Sequence, residues 1–388
     1  MLTLNDICLQ ITDGSHFSPE DKGIGYPMLS VKDMRDDHFD LSECKYVDEE
    51  DYQKLLANGC KPLLNDVVLA KDGSYLKTAF TIKEEQDIAL LSSIAILRPD
   101  LNVVIPDYLS YFLKSKPVYR TVSLNYISGT ALKRIILKGI KKIPVQLPSL
   151  QEQQCRVDLL NFIQNIIKLR KQEIRYLDEI IKARFVELFG DPVQNEKGWR
   201  TKPLLEMGNC KNGMNFHYDD CGVEINCLGV GDFKDLSVID NTELLPTVSL
   251  NEMPSEEYLL KDDDIVFVRS NGNKALVGRC LVVYPRSTPT TYSGFCIRYR
   301  LASSDVDTAY LLRVLKSDSM RKKMVGRGAN IQNLNQQILA SLDIPIPPMT
   351  MQEQFAAFVA QVDKSKLLAK IKSLLLNTER GLILNKQA

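Results

Sequence analysis

The sequence contains an internal duplication with a period of about 200 residues, and this feature constrains the fold more than any other. Ile143-Pro144 is followed seven residues later by Gln-Glu-Gln, and Ile344-Pro345 is followed by the same tripeptide at the same distance. Further landmarks recur in the same order: Leu29–Asp33 with Leu228–Asp232, Asn65–Lys71 with Asp263–Arg269, Tyr108-Leu109 with Tyr310-Leu311, Lys114-Ser115 with Lys316-Ser317, and Ser128–Ala131 with Arg327–Asn330. The alternative is chance recurrence of common dipeptides. The shared order instead predicts two tandem globular units, each followed by a helix.

Each globular unit has the sequence pattern of an α/β fold. One amphipathic helix is predicted per unit, at Asp107–Lys114 and Thr308–Leu315. Runs rich in β-branched and apolar residues predict strands at Asp66–Ala70, Ile88–Leu97, Asp264–Val268, Leu281–Tyr284 and Phe295–Tyr299.

A long helix is predicted after the first Gln-Glu-Gln. Gln151–Phe189 contains neither Gly nor Pro, Pro148-Ser149 is a start signal, and Gly190 followed by Pro192 is a stop signal. About 40 residues at about 1.5 Å each make a helix of about 60 Å. Such a helix is too long for the core of one unit, so we expect it to pair with its counterpart after Gln354 in an antiparallel coiled coil. The alternative is that each helix packs against its own unit.

Apolar residues at spacings of three and four form the predicted seams of these helices. The first seam comprises Leu159, Ile163, Ile166, Ile167, Ile174, Leu177, Ile181, Phe185 and Leu188. The second comprises Phe355, Phe358, Val359, Val362, Leu367, Leu368, Ile371, Leu374, Leu375 and Leu382.

The charge balance argues against an independent basic nucleic-acid-binding protein, because 49 Lys and Arg residues face 49 Asp and Glu residues. The N-terminus lacks a cationic start, and no window of eighteen apolar residues occurs, so we expect a soluble, cytoplasmic chain that does not bind membranes. Nine scattered cysteines without a CxxC pair indicate reduced thiols. Zinc binding by Cys210, His217, Cys221 and Cys227 is disfavoured, because the short spacing that usually starts such a site is missing.

No catalytic motif is recognisable. The sequence lacks a GxxxxGK[ST] phosphate loop, the Asn/Asp-Pro-Pro-Tyr/Phe tetrapeptide of amino-methyltransferases, and a glycine-rich turn suited to a methyl-donor cofactor. Residues Asp262–Asp264 could hold a divalent metal in a nuclease, but a turn at the start of a strand explains them better. With only three histidines as well, we expect a chain that is not catalytic alone and has no cofactor.

The stretch Ile143–Trp199 strongly resembles the specificity subunit of type I restriction-modification systems. The resemblance rests on the proline-containing approach to Gln-Glu-Gln, the Leu-x-x-Ile-x-x-Arg-Phe pattern of the helix, and Phe-Gly-Asp-Pro-x-x-Asn-x-x-Gly-Trp at residues 189–199. Asp13–Met34 also resembles the start of a target recognition domain in that family. The second helix departs from the pattern, because it lacks the Phe-Gly-Asp-Pro ending and contains lysines at Lys364, Lys366 and Lys372.

The resemblance implies a target recognition domain at 1–147, a central conserved helix at 148–190, a second recognition domain at 191–347 and a C-terminal conserved helix at 348–388. It further implies that each domain reads one half of a split double-stranded DNA target. The paired helices would set the spacer and bind the methyltransferase (modification) subunits, with restriction/motor subunits as further partners. Lys32 and Lys71 correspond to Gly231 and Arg269, so the two domains should read different bases in an asymmetric target.

Six polar loops, three in each copy, and Lys32 are the candidate DNA contacts, since groove readout uses basic, amide and hydroxyl side chains. The loops are residues 13–18, 71–77 and 128–134 in the first copy and 211–217, 269–274 and 327–333 in the second. The alternative is that they are ordinary surface turns. The first-copy candidates are Asp13, Ser15, His16, Lys32, Lys71, Ser74, Lys77, Thr130, Lys133 and Arg134. The second-copy candidates are Lys211, Asn212, Asn215, His217, Arg269, Ser270, Asn271, Asn273, Lys274, Arg327, Asn330, Gln332 and Asn333.

Two other functions stay open on the sequence alone. A self-sufficient DNA nuclease or methyltransferase would need a catalytic motif that we do not find. A helical scaffold that does not bind nucleic acid would leave the duplicated loops without a role.

Overall fold

The computed structural model describes residues 2–73, 75–128, 133–216, 221–233, 236–325 and 333–385. Contacts divide the chain into a first unit, Met1–Gln172 with Ala369–Ala388, and a second unit, Glu173–Leu368. Each unit is α/β, as predicted, and each of the two long helices contributes to both. The predicted recognition domains, 1–147 and 191–347, end before these helices and stay predictions.

The first unit contains two main sheets. A four-stranded antiparallel sheet has the order Cys8–Asp13, Ile94–Pro99, Val67–Ala70, Ala79–Thr81. A three-stranded sheet has the order Lys45–Val47, Tyr26–Leu29, Ala89–Leu90, with the last pair parallel. Short pairs join Leu2–Thr3 to Pro144–Val145 and Ile127–Ser128 to Arg134–Ile135. The helices are Leu4–Ile7, Glu49–Ala57, Pro106–Leu113, Lys116–Asn125 and Leu137–Lys141, with a 3-10 turn at Val31–Asp33.

The second unit repeats this construction with one more strand in its larger sheet. That sheet has the order Gly208–Asn212, Cys296–Leu301, Asp264–Val268, Cys280–Val283, Val238–Ile239, and only the last pair is parallel. The smaller sheet has the order Thr247–Leu250, Val223–Leu228, Thr290–Tyr292, and Thr201–Pro203 pairs with Asp343–Pro345. The helices are Thr308–Lys316, Asp318–Val325 and Gln336–Ala340, with 3-10 turns at Leu204–Glu206, Val230–Asp232, Glu256–Tyr258 and Lys274–Leu276.

A buried ion pair occurs at the same place in both units. Asp66 binds Arg98 through two hydrogen bonds of 2.9 Å, and Asp264 binds Arg300 through two of 2.7 Å. Both carboxylates are buried, at 1% and 0% exposure, and both follow a residue with positive φ. Asp264 therefore starts a strand, as the sequence indicated, and its carboxylate binds Arg300.

Two acids beside Asp264 also have structural partners. Asp262 accepts a hydrogen bond from the backbone N–H of Arg286, and Asp263 accepts one from the Tyr284 hydroxyl. The three carboxylates therefore face three different partners.

A buried glutamine fixes the start of each long helix. The central helix spans Leu150–Phe189 and the C-terminal helix spans Met349–Asn385. The amide oxygen of Gln153 accepts from Ile105 N–H at 2.9 Å, and that of Gln352 accepts from Asp307 N–H at 2.9 Å. The amide nitrogen of each glutamine donates to two backbone carbonyls, one of them five residues earlier.

This equivalence corrects the register taken from the repeated tripeptide. Gln153 ends the first Gln-Glu-Gln, whereas Gln352 begins the second, so aligning the two tripeptides displaces the copies by two residues. The backbone pairing agrees, because Leu4 N–H donates to Ile143 O and Leu204 N–H donates to Leu342 O. The recurring Ile-Pro pairs are therefore not at equivalent positions.

The long helices pair antiparallel, as predicted. In the second unit, Phe185 and Phe189 each lie 5.6 Å from Phe355 between ring centroids, while Lys366 binds Asp178 at 2.7 Å. Residue numbers thus rise along one helix as they fall along the other. In the first unit, Arg380 of the C-terminal helix donates to the side-chain amide of Gln164.

The alternative packing is also present, because the helices contribute to the cores of the globular parts. Val157 belongs to the core cluster of the first unit, and Ile181, Phe185 and Phe189 belong to that of the second. Much of the predicted seam is nevertheless exposed, since two paired helices cover only one face of each other. The exposed residues are Leu159, Leu367, Leu368, Ile371, Leu374, Leu375 and Leu382.

Two further predictions were wrong in detail. The strand predicted at Ile88–Leu97 is two strands, Ala89–Leu90 and Ile94–Pro99, separated by a turn. The expectation of one amphipathic helix per unit also missed Lys116–Asn125 and Asp318–Val325, each of which follows directly after the predicted helix.

Candidate nucleic-acid interface

Backbone hydrogen bonds bring the predicted loops of the first unit together. Gly73 N–H donates to Lys133 O at 2.9 Å, and Ile135 N–H donates to Lys71 O at 2.9 Å. The loop that starts at Lys71 therefore lies beside the segment 133–134. These parts, with residues 13–17 and 91–93, are called the first loop cluster.

The turn Leu91–Ser93 joins the remaining parts of this cluster, and no sequence pattern predicted it. Ser92 N–H donates to Ser15 O at 2.9 Å, and Lys71 N–H donates to Ser93 O at 3.0 Å. The Ser93 hydroxyl also accepts a hydrogen bond from Val31 N–H at 3.0 Å. This bond places the 3-10 turn Val31–Asp33, which contains Lys32, beside the first loop cluster. An apolar run with two serines reads as a continuous strand, so only the structure shows this turn.

Gly14 is required by a close backbone approach in this cluster. A Cβ atom at Gly14 would lie 2.1 Å from Leu90 O, and one at Gly213 would lie 2.1 Å from Ser293 O. Both glycines therefore allow the first loop to contact the central turn in their unit.

The most buried predicted site residues of the first unit form an ion pair. Lys71 Nζ lies 2.8 Å from Asp13 Oδ2, and the two side chains are only 9% and 10% exposed. His16 is largely exposed, with its Nε2 3.5 Å from the same carboxylate oxygen. Asp13 and Lys71 therefore hold the loops together, and His16 is the accessible member of this group.

The other first-unit candidates lie at the surface. Lys32, Lys77, Lys133 and Arg134 are exposed. Lys32 Nζ donates to Glu43 O at 3.3 Å, and the Ser15 hydroxyl donates to Phe17 O at 2.6 Å.

The second unit assembles its loops with three of the same backbone hydrogen bonds. Gly294 N–H donates to Met214 O at 2.6 Å, and Arg269 N–H donates to Phe295 O at 2.8 Å. Leu334 N–H donates to Arg269 O at 2.8 Å, as Ile135 does to Lys71. The second loop cluster thus comprises residues 211–216, 269–274, 293–295 and 333–334.

The charges of the second loop cluster are arranged differently. Asn212 occupies the place of Asp13, so the ion pair of Asp13 with Lys71 has no counterpart between these positions, and Arg269 Nη1 donates to Gly294 O at 3.2 Å. The Asn212 Oδ1 atom is buried and has no hydrogen-bond partner among the described residues. Lys211, by contrast, pairs with Glu257 at 2.8 Å and lies 4.6 Å from the ring centre of Tyr258.

The loop at residues 269–274 is held in shape by hydrogen bonds from its own backbone to its own asparagine side chains. Asn271 Oδ1 accepts from Asn273 N–H at 2.8 Å, and Asn273 Oδ1 accepts from Ala275 N–H at 3.0 Å. Ser270 forms a β-bridge with Asn333. Asn215, Asn273, Lys274 and Asn333 are exposed.

Six predicted site residues lie outside the described residues: Ser74, Thr130, His217, Arg327, Asn330 and Gln332. The remaining candidates gather in the two clusters, with Lys32 beside the first. Their contact with DNA stays a prediction.

The structure gives no support to a zinc site at the cysteines. Burial raises the pKa of Cys210 and of Cys227 to about 12, which disfavours the thiolates that zinc requires. Within the described part of the chain, no three His, Cys, Asp or Glu side chains are grouped closely enough to hold a metal. All nine cysteines are free.

The described helices are also too polar to cross a bilayer. None of them, including the two long helices, contains an apolar stretch sufficient for a membrane span.

Comparison with known proteins places both halves of the sequence in one family. Residues 1–178 and 196–377 match the type I restriction modification DNA specificity domain. The type I restriction enzyme StySPI specificity subunit of Salmonella potsdam is 24% identical over 380 residues, which cover 90% of this chain and 79% of that protein. The putative type I restriction enzyme MjaX specificity subunit of Methanocaldococcus jannaschii is 22% identical and covers 93% of this chain and 85% of its own.

Solved structures share the fold over the whole chain. The S subunit of a type I restriction-modification system from M. genitalium has a TM-score of 0.51 at 15% identity, covering 99% of this chain and 94% of its own. A chain from a study of assembly and conformational transition of the type I R-M system has a TM-score of 0.58 at 15% identity, covering 100% and 96%. Because the family match extends over both copies, the chain belongs to the type I restriction-modification DNA specificity family, as the sequence resemblance predicted.

Proposed function

We propose that this chain is the non-catalytic DNA-reading subunit of a type I restriction-modification enzyme and that it recognises a bipartite, asymmetric double-stranded target. Each loop cluster reads one half-site. Methylation and cleavage belong to the modification and restriction/motor subunits, and the assembly works in the cytoplasm, where the chromosome is.

The observation that carries this proposal is one backbone framework, present twice, with different side chains. Three backbone hydrogen bonds that gather the loops are equivalent in the two units, as are Gly14 and Gly213. The exposed groups differ, with histidine and lysine in one cluster and asparagine and lysine in the other. A backbone framework common to both units, with different polar side chains on each, suits two domains that recognise different base sequences.

The orphan acceptors in the clusters also favour a ligand with hydrogen-bond donors. Asp72 Oδ1 and Asn212 Oδ1 are buried without a partner among the described residues, although buried polar atoms are normally paired. A small rearrangement on binding would let base amino groups or bridging waters supply the missing donors.

Exposed apolar side chains on the C-terminal helix support binding of the modification subunits. In the first unit, Leu374, Leu375 and Leu382 are 68%, 60% and 58% exposed, although each is large and apolar. Large apolar side chains exposed along one helix are typical of a surface that a partner protein covers. The helices would then hold the partner subunits as well as fix the spacer.

The first test maps methylated motifs on the host chromosome with and without the gene. We expect the gene to add one split, asymmetric motif. Replacing the loops of the first cluster should change one half of that motif and leave the other half. A purified chain that methylates or cuts DNA unaided would show a self-sufficient enzyme, and an assembled complex without sequence preference would indicate a scaffold.

The second test changes the length of the paired helices. Because they pair antiparallel, an insertion must be made in both, between Gln164 and Asp178 and between Lys366 and Arg380. Four added residues lengthen a helix by about 6 Å, which is just under two base pairs at about 3.4 Å each. A methylated motif whose spacer is unchanged after this double insertion would refute the spacer role.

A further inference from the structure

One segment of the first unit has a concentrated positive charge that the corresponding segment of the second unit lacks. The segment 133–142 contains Lys133, Arg134, Lys138, Lys141 and Lys142 and no acidic residue. All five side chains are exposed, and we call them the basic strip. At the corresponding positions 332–341, the second unit has no charged residue at all.

The correspondence between the two segments is structural and does not rest on sequence similarity. Ile135 N–H donates to Lys71 O, and Leu334 N–H donates to Arg269 O. The helices Leu137–Lys141 and Gln336–Ala340 follow at the same distance, and each buries one apolar residue completely, Ile140 and Leu339. Lys138, Lys141 and Lys142 therefore correspond to Gln337, Ala340 and Ser341.

The helix Leu137–Lys141 gathers three of these charges on one side. Gly139 and Ile140 are buried, while Lys138, Lys141 and Lys142 are exposed at spacings of three and four residues, which share a helix face. The three lysines line an open cleft of about 470 Å³ together with Thr3, Asn5 and Leu137. Asp6, the acid of the neighbouring helix Leu4–Ile7, instead accepts from the backbone N–H and hydroxyl of Thr3.

The strip begins at the candidate DNA interface. Lys133 O accepts from Gly73 N–H within the first loop cluster, and the chain continues from there through the helix to the start of the central helix. The segment has five exposed cationic side chains and no acidic residue of its own, so it attracts a polyanion, and the polyanion that the adjacent loops are proposed to read is DNA.

We propose that the basic strip binds the phosphate backbone of DNA beside the first half-site, a contact that the corresponding helix of the second unit does not make. This inference rests on the proposed function. Phosphate contacts position the duplex without reading bases, so Lys138, Lys141 and Lys142 contribute to affinity and not to the choice of target.

The test uses the complex assembled with its modification subunits and measures DNA binding by fluorescence anisotropy over a salt series. Each phosphate contact contributes about 0.9 to the slope of log affinity against log salt. The triple variant Lys138→Gln, Lys141→Gln, Lys142→Gln should lower that slope by about two to three. Between about 50 and 200 mM salt, its affinity should fall about 16- to 64-fold less than that of the unmodified complex.

Two variants frame this measurement. The control Lys54→Gln with Lys83→Gln removes exposed lysines that pair with Glu50 and Asp107, and it should leave the slope unchanged. The converse variant Gln337→Lys, Ala340→Lys, Ser341→Lys should steepen the slope by a similar amount. An unchanged slope in the converse variant would show that lysines on the equivalent helix Gln336–Ala340 do not contact DNA phosphates. That result would overturn the inference, because the two helices occupy equivalent places in their units.

The outcomes separate this inference from the proposed function. If the unmodified complex prefers its target over random DNA and the triple variant keeps both that preference and the original slope, the basic strip does not bind DNA. If the triple variant retains less modification subunit in gel filtration while the slope of the assembled fraction is unchanged, the strip binds an acidic partner surface, and the inference is also wrong. If the unmodified complex has no target preference, the proposed function fails.

Discussion

The buried ion pair of the first loop cluster can be removed by one isosteric substitution, Asp13→Asn. Lys71 Nζ lies 2.8 Å from Asp13 Oδ2, and both side chains are about nine-tenths buried. After the substitution, the ammonium group of Lys71 stays in the same place without its anion. The first loop would then lose its charged link to the loop that starts at Lys71.

The magnitude follows from the distance and the burial. At 2.8 Å and an effective dielectric constant of about 20, the direct attraction is about 6 kcal/mol. The cost of removing both charges from water offsets part of this, and breaking a buried pair by removing one partner typically costs about 3–5 kcal/mol. The remaining tenth of exposure allows some rehydration, so we expect the first unit to lose about 2–4 kcal/mol.

Hydrogen exchange is the suitable assay, because it reports local opening in each unit, whereas a chain with two units does not unfold in one two-state step. Amides of the first loop cluster should exchange faster, and those of the second should not change. The control Asp37→Asn removes an exposed carboxylate that is 67% accessible and pairs with His38, so its effect should be below about 1 kcal/mol. The double variant Asp13→Asn with Lys71→Met should recover most of the loss, since it removes both charges.

Unchanged exchange in Asp13→Asn would refute the reasoning, because it would show that the pair does not hold the loops. The converse substitution, Asn212→Asp, examines the second unit. It places a carboxylate at the position equivalent to Asp13, beside Arg269, and should lower affinity for the second half-site while recognition of the first is retained.

Three further predictions concern the helix starts, base recognition and the thiols. Gln153→Ala and Gln352→Ala should each destabilise their unit by about 2–4 kcal/mol, measured by hydrogen exchange at the helix start, because buried backbone groups lose their partners. Arg269→Ala should cost about 1–3 kcal/mol in DNA binding, measured by anisotropy, with discrimination at the first half-site unchanged. Alkylation near pH 8, read by mass spectrometry, should modify the exposed Cys155 and Cys221 before the buried thiols. Burial raises the pKa of the buried Cys227 and Cys280 and of the half-buried Cys210 above the ordinary value of about 8.5. Their contribution to stability is therefore complete below about pH 8.5 and is lost as pH rises towards about 11 or 12.

The long-range organisation was predictable where backbone chemistry leaves few choices. The absence of Gly and Pro over Gln151–Phe189 placed the start of the central helix within one residue of Leu150. The strand Asp264–Val268 was predicted with its bounds, because a polar turn precedes an apolar β-branched run. The antiparallel pairing also followed from a helix too long for one unit.

The predictions of turns and of the repeat register failed where they depend on hydrogen bonds that the residue types alone do not specify. The turn at Leu91–Ser93 lies within an apolar run, and its role appears only through its contacts with Ser15 and Lys71. The alignment of the two copies by the repeated Gln-Glu-Gln tripeptide was wrong for the same reason. The helix starts are fixed by the buried amides of Gln153 and Gln352, which occupy different places in the two tripeptides.

The zero net charge of the chain is matched by ion pairs within the loop clusters. Asp13 holds Lys71 and Glu257 holds Lys211, so in each cluster a cation near the candidate interface is neutralised by a carboxylate. In the second cluster, the exposed groups that remain include the amides of Asn215, Asn273 and Asn333, which suit base edges better than phosphates. Discrimination between sequences should therefore depend weakly on salt, while the overall affinity depends strongly on it through the basic strip and the partner subunits. Measuring the ratio of target to random-DNA affinity over a salt series separates the two contributions, because a ratio that falls as steeply as the affinity would mean that the cations themselves carry the specificity.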